Sequence, residues 1–137
     1  MFYKYANGAL YNWHAVNTQK LCPTGWHVPT KAEIETLISN FGGTLLAGGK
    51  LKETTETHWL IPNEGASNST NFTALGGGKR DIDGSFKSMF STGEFWTDTK
   101  DNDSFANVMG LTYDKRDANV YLLNLKSGAT VRCIKDK

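Results

Sequence analysis

The residues best suited to chemistry in this chain are three histidines and a run of glycines, and neither group has catalytic spacing. His14, His27 and His58 fall outside the HxxxH and HExxH patterns, and none has a carboxylate at a helical offset that would complete a metal triad. The GGGK run at 76–79 lacks the serine or threonine of a phosphate loop, and no serine lies in a GxSxG elbow. We therefore predict core or surface roles for the histidines, no enzymatic activity and no cofactor.

The densest group of oxygen ligands lies at Asp98, Asp101, Asn102 and Asp103. Ca²⁺ prefers carboxylate and amide oxygens, so calcium is the alternative to having no cofactor. The cluster lacks the ligand spacing of a known calcium loop. We therefore expect a solvated acidic turn and no metal site.

The two cysteines, Cys22 and Cys133, are too far apart for a CxxC metal or redox motif. We predict a disulfide that ties the last strand to the start of the main helix, and the alternative is two buried free thiols. Such a disulfide would indicate an oxidising compartment, such as the periplasm or the cell surface.

Length and charge narrow the class of protein. The 137 residues suit a single domain, 1–137, and the net charge of +1 gives no electrostatic basis for binding nucleic acid. No apolar run approaches the roughly 20 residues that span a bilayer, and residues 1–4 lack the apolar core of a secretory signal. We expect no membrane insertion by this chain, with any export signal or anchor lying outside it.

The clearest element is a helix at about 31–41 that begins after Pro29. Thr30 and Glu33 form a capping-box pattern, and Gly42 and Gly43 supply a left-handed end. Apolar residues at i, i+3, i+4 and i+7 form one stripe that must face a core, namely Ile34, Leu37, Ile38 and Phe41.

Short strand patterns separated by turns account for most of the remaining chain. We predict a first strand at 9–16 that pairs with the C-terminal strand, followed after a long ordered loop by strands at 79–81, 85–90, 94–98, 104–113, 118–125 and 129–134. One helix with segregated antiparallel strands indicates an α+β domain.

Alternation in the two longest strands suggests an exposed face. If Ala106 and Val108 face the core, then Phe105, Asn107 and Met109 face outward. The same reasoning turns Asn119, Tyr121 and Leu123 outward, and large apolar residues on such a face indicate a partner. The alternative is that both faces are buried and these residues belong to the core.

Six sequence blocks, in order, resemble the Fibrobacter succinogenes major paralogous domain family. They are LYNWHAV, KLCPTGWHVPTKAEIETL, AGGKLKET, HWLIPNEGASNSTNFTALGGGKRDIDGSF, FWTDT and GATVRCIKD, and they cover about residues 10–136. The resemblance implies a C-type lectin-like fold, in the branch that contains formylglycine-generating enzymes. That fold is a small twisted antiparallel sheet with one main helix and long ordered loops. The enzymes of this branch carry a close cysteine pair near the C-terminus, whereas Cys133 stands alone here, so we do not carry the oxidase chemistry over.

The resemblance also implies an exported or lipid-anchored bacterial surface protein, or one displayed by a phage. Some relatives are variable proteins of diversity-generating retroelements, whose late strands are diversified to change ligand specificity. The corresponding segment here is about 97–124. The residues expected to contact the ligand are Thr97, Asp98, Lys100, Asn102, Phe105, Asn107, Met109, Tyr113, Arg116, Asn119, Tyr121 and Leu123.

The sequence therefore predicts a non-enzymatic, extracellular ligand-binding module whose partner is a protein or glycan on a cell surface. Three alternatives stay open. A carbohydrate-binding lectin would bind glycans, with calcium as one route of binding; an architectural module would bind nothing alone; and a formylglycine-generating enzyme would need a metal and a reactive Cys133.

Overall fold

A five-stranded sheet with helices on both faces organises residues 8–137, the part of the chain that the computed structural model describes. The helices are α1 (Trp13–Asn17), α2 (Lys31–Asn40) and α3 (Ala47–Leu51). The strands are β1 (Leu10–Tyr11), β2 (Trp26–His27), β3 (Lys79–Arg80), β4 (Phe86–Lys87), β5 (Thr92–Lys100), β6 (Phe105–Thr112), β7 (Ala118–Asn124), β8 (Ala129–Thr130) and β9 (Ile134–Lys135). The main sheet has the order β1-β8-β5-β6-β7, and β2–β9 and β3–β4 form two small antiparallel sheets. Neighbours in the main sheet are antiparallel except for β5 and β8. The predicted α+β class is confirmed.

The predicted main helix is α2, and its capping box is confirmed. Thr30 Oγ1 accepts from the Glu33 N–H at 3.1 Å, and Glu33 Oε1 accepts from the Thr30 N–H at 3.3 Å. At the other end, Gly43 has a φ of +82° and donates its N–H to the Ile38 carbonyl at 2.9 Å, which ends the helix as expected.

The predicted first strand, 9–16, is wrong in most of its length. Strand β1 has two residues, which pair with β8 at the C-terminal end as expected, and the chain then enters helix α1. The Asn12 side chain accepts from the Ala15 N–H at 3.0 Å and so caps this helix. The prediction failed because the β-branched and aromatic residues of 9–16 favour a strand, whereas the N-cap at Asn12 starts a helix. The predicted strand at 129–134 is likewise divided into β8 and β9, with Cys133 between them.

The centre of the main sheet, in β5 and β6, is buried on both faces, because a separate apolar cluster covers each. Helix α2 contributes Ile34 and Ile38 to the first cluster, whose other buried members are Ala47, Leu51, Trp59, Ala74, Phe95, Met109, Leu111 and Ala118. Helix α1 contributes Trp13 and Val16 to the second, whose other buried members are Val28, Trp96, Ala106, Val108, Leu123, Leu125 and Ala129. Successive residues of β6 therefore alternate between two cores, and not between core and solvent.

This arrangement overturns part of the predicted display face. Asn107 is 6% exposed and Met109 is fully buried, so the prediction that they face outward is wrong. Phe105 is exposed as predicted, and the both-faces-buried alternative holds for β6 after this residue. Leu123 is also buried, whereas its neighbour Leu122 is 43% exposed. Only Asn119 and Tyr121 of the predicted outward set on β7 are exposed.

None of the helices in residues 8–137 is long and apolar enough to cross a membrane.

Candidate ligand-binding site

The twelve predicted ligand-binding residues do not form one surface. Thr97, Asn107, Met109 and Leu123 are buried, and the other eight form three separate groups. Asp98, Lys100, Asn102 and Phe105 lie around the β5–β6 turn; Tyr113 and Arg116 lie at the opposite end of β6; Asn119 and Tyr121 lie on β7. Seven residue steps of about 3.3 Å separate the ends of β6 by roughly 23 Å.

The two buried polar residues of this set hold the sheet together. Thr97 Oγ1 donates to the Asn107 carbonyl at 2.8 Å, and Asn107 Nδ2 donates to the Thr99 carbonyl at 3.0 Å. Trp13 Nε1 in turn donates to the Thr97 carbonyl at 3.1 Å. These bonds span the irregularity in the β5–β6 register between Trp96 and Lys100. Thr97 and Asn107 therefore position the β5–β6 turn and are not available to a ligand.

The acidic segment of the β5–β6 turn uses its oxygen atoms locally. Asn102 Oδ1 accepts from the N–H groups of Ser104 and Phe105 at 2.8 and 3.1 Å, and Asp103 pairs with Lys100 Nζ at 3.2 Å. No group of three or more His, Cys, Asp or Glu side chains in residues 8–137 is arranged to hold a metal ion. This segment has the turn geometry expected from the sequence.

Tyr121 is anchored although it is partly exposed. A Cβ at Gly110 would overlap its ring, so the glycine is what lets the tyrosine lie across β6. Its hydroxyl interacts with Glu94, and burial raises the pKa of that carboxyl. Burial and Glu94 together raise the pKa of Tyr121. One side of this tyrosine is thus part of the packing, while its other side meets solvent.

A cleft of about 270 Å³ opens beside the disulfide and one of the predicted residues, Asp98. Its apolar wall combines Val16 of α1 with Val28 and the segment that holds Cys22. Cys22 is bonded to Cys133, as predicted. Asp98 is held at the rim by its backbone N–H, which donates to the Pro29 carbonyl at 2.9 Å. The full lining is Val16, Gln19, Leu21, Cys22, Trp26, His27, Val28 and Asp98.

Trp26 differs from the other three tryptophans. Trp13, Trp59 and Trp96 are buried, and each donates its indole N–H to a backbone carbonyl. Trp26 is 45% exposed, and its indole N–H has no protein acceptor among the described residues. A large ring that is half in solvent and lines a cleft is a typical contact residue. Trp26 is therefore not a core residue like the other three tryptophans.

His27, which also lines the cleft, lies between two carboxylates. Its Nδ1 is 2.5 Å from Asp136 Oδ1, and its Nε2 is 3.0 Å from both oxygens of Glu33. The hydrogen bonds to Asp136 and Glu33 raise the pKa of His27. Desolvation alone would raise the pKa of Glu33, but the hydrogen bonds from His27 and Thr30 outweigh it, and the pKa of Glu33 is lowered. Desolvation raises the pKa of Asp98. The ion pairs join α2 to the C-terminal segment.

These ion pairs predict a pH dependence of stability. Because the folded pKa of His27 lies above its ordinary value of 6.5, its stabilisation is complete below pH 6.5 and is lost as the pH rises through the folded pKa. The unfolding free energy of the wild type, measured by denaturant titration, should therefore fall across that window. His27→Gln should remove this decline, and substitution of the exposed His14 by Gln should leave it. An unchanged decline in His27→Gln would contradict the assignment.

Comparison with known proteins places the chain in a family. Its residues 3–135 match the model of the Fibrobacter succinogenes major domain. The chain belongs to this bacterial family. No curated protein and no solved structure matches it.

The cleft of this family member contains residues that sequence reasoning did not select. Asp98 was predicted as a contact residue, whereas Trp26, His27 and Gln19 were not. The available signal was the segment around Gly25 and Trp26, in which a large aromatic residue lies outside any helical stripe between Pro23 and Pro29. The periodicity of a two-residue strand is too short to show that Trp26 faces solvent.

Proposed function

We propose that this domain is a non-enzymatic, extracellular ligand-binding module with a C-type lectin-like fold, and that the cleft at Trp26 and Asp98 is its binding site. The observation that carries the proposal is the half-exposed indole of Trp26 beside an exposed carboxylate, above an apolar wall. The exposed residues of the β5–β6 turn, Lys100, Asn102 and Phe105, follow Asp98 in the chain and extend the contact surface.

The chemistry of the cleft favours a protein ligand that inserts a basic side chain. An ammonium or guanidinium group is attracted to the face of an indole ring and to a carboxylate. The lining contains Asp98 and no lysine or arginine, and the charge of His27 is offset by Glu33 and Asp136. The apolar wall suits the methylene groups of such a side chain.

A glycan ligand is the second candidate, and Gln19 is the observation that favours it. A sugar ring packs on an exposed tryptophan while amide and carboxylate groups bond its hydroxyls, and Gln19 and Asp98 supply both groups in the same cleft as Trp26.

The indole N–H resonance of Trp26 gives a direct test of both ligands. We would titrate the ¹⁵N-labelled domain with Nα-acetyl-lysine amide and, separately, with methyl glycosides in calcium or chelator. If the ligand is basic, we expect the lysine probe to shift the Trp26 resonance. The affinity for this probe should then fall at least about tenfold in Trp26→Ala or Asp98→Asn. Phe86→Ala, which removes an exposed aromatic residue on β4, is the matched control.

The results separate the proposals. A shift with a glycoside alone would support the glycan ligand, and its loss in chelator would indicate calcium. No shift with either probe would contradict the cleft as the site and would favour a purely architectural module.

The disulfide supports an extracellular location on a bacterial surface or a phage, because such bonds persist in oxidising compartments. It also joins both cysteines, which leaves no free thiol for chemistry of the formylglycine-generating type. We further propose that any retroelement diversification is confined to exposed positions of 97–124. Variation at the buried Asn107 or Met109 in the natural population would oppose this.

A further inference from the structure

Strand β7 forms one edge of the main sheet. The Ala118 N–H points away from β6, because it donates to the Thr44 carbonyl at 2.8 Å. Backbone groups in an antiparallel strand alternate in direction, so those of Val120 and Leu122 also point outward. They have no partner among residues 8–137. The edge is therefore open at Val120 and Leu122, whereas the Asn124 carbonyl already accepts from the Ser127 N–H at 2.9 Å.

In the part of the chain that the structure describes, the segment at Thr44 covers only the Ala118 end of this edge, and the remainder lacks the usual features that prevent strand pairing. Its sequence, ANVYLLN, has no charged residue and no proline, and its seven-residue register with β6 is unbroken. The opposite edge, β1, has only two residues. Natural proteins protect long edge strands with charges, prolines, bulges or covering segments. A long, neutral and regular edge indicates that another strand pairs with it.

The face beside this edge is apolar at the same point. Leu122 is 43% exposed and Phe105 is 38% exposed. Leu122 pairs with Asn107 and Phe105 pairs with Asn124, so the two apolar side chains lie diagonally on one face of the sheet. A strand added beside Leu122 would remove part of this surface from water.

We propose that β7 pairs with β7 of a second copy of this chain in an antiparallel arrangement centred on Leu122. The Leu122 side chains of the two copies are then direct neighbours, and Val120 lies opposite Asn124. Ala118 remains outside the new ladder, bonded to Thr44. Charge favours this direction, since Asp117 precedes the strand and Lys126 follows it. Antiparallel pairing brings these opposite charges together, and parallel pairing would bring like charges together.

Sedimentation equilibrium of the whole chain between about 5 and 500 µM, a range that covers ordinary protein affinities, tests the proposal. The wild type should reach twice the mass of the monomer. Leu122→Lys should weaken the dimer at least about tenfold, because two lysines would meet at the axis. Phe86→Lys, at an exposed apolar residue of the separate β3–β4 sheet, should have no effect.

A cysteine variant tests the proposed register of the two β7 strands. In Leu122→Cys the two new thiols lie at the axis, where directly opposite Cβ atoms are about 4.5–5.5 Å apart, so mild oxidation should give a covalent dimer. Asn119→Cys should not cross-link, since residue 119 lies three positions from the axis. A wild type that stays monomeric overturns the proposal, and so does a dimer that Leu122→Lys does not weaken. Equal cross-linking of Leu122→Cys and Asn119→Cys would also overturn it. A monomer that binds extended peptides through β7 would also overturn it.

Discussion

Lys52→Met is expected to lower the unfolding free energy by about 3 kcal/mol or more, since each of the three hydrogen bonds from this charged donor contributes about 1.5–3 kcal/mol. Lys52 is fully buried. Its Nζ donates to the carbonyls of Glu64, Thr112 and Lys115 at 2.9, 2.9 and 3.0 Å. Methionine keeps the length and apolar stem of the side chain and removes all three N–H donors. The decrease in unfolding free energy therefore measures the three hydrogen bonds of the ammonium group.

The three acceptors explain why the effect should be large. Glu64 belongs to the long loop, whereas Thr112 ends β6 and Lys115 lies in the turn that follows it, so one ammonium group joins the long loop to the β6–β7 turn. Its Nζ also lies 5.4 Å from the centroid of the Trp59 ring. Burial lowers the pKa of Lys52 to about 8, which leaves the group mainly charged at neutral pH.

Urea denaturation at pH 7 of the wild type, Lys52→Met and Lys126→Met measures this contribution. Lys126 is an exposed lysine in the turn after β7 and serves as the matched control. Its substitution should change stability by no more than about 0.5 kcal/mol. A Lys52→Met variant as stable as that control would show that water replaces the lost donors and that the ammonium is not the link between the long loop and the β6–β7 turn.

The sequence predicted the elements that depend on local rules. The Thr30 and Glu33 cap, the apolar stripe of α2 and the glycines after it are specified within 14 consecutive positions, 30–43, and all were confirmed. Asn12 shows the limit of such rules, since it caps a five-residue helix inside a stretch with strand-like composition.

The features that failed depend on distant contacts. The alternation in β6 was correctly recognised, but it cannot reveal that a second core covers the other face, because that core is built by α1 and by residues around 125–129. Lys52 looks like an ordinary surface lysine until the loop at Glu64 and the turn at Lys115 are placed around it. Trp26 shows the converse, since only the assembled cleft distinguishes it from the three buried tryptophans.

Removing the disulfide, by the double substitution Cys22→Ala and Cys133→Ala, should produce the largest loss of stability. The two cysteines are 111 residues apart in sequence, and the chain-entropy model gives about 4–5 kcal/mol for a closed loop of that size. A typical domain has about 5–15 kcal/mol in total, so the variant should unfold at a much lower denaturant concentration. Denaturant titration of the oxidised wild type against the double variant measures the difference, and a loss below about 1 kcal/mol would show that the unfolded chain is already compact.

The same substitution should also affect the cleft, because the bond holds one of its walls. Without it, Trp26 and His27 are attached to the C-terminal segment by the two-residue pairing of β2 with β9, the bond from the Asp136 N–H to the Gly25 carbonyl and the ion pair between His27 and Asp136. In conditions where the double variant is still folded, the Trp26 indole resonance should broaden or move while those of Trp59 and Trp96 stay in place. Unchanged signals from all of them would mean that the strand pairing alone positions Trp26, and the disulfide would then act on the unfolded chain and not on the binding site.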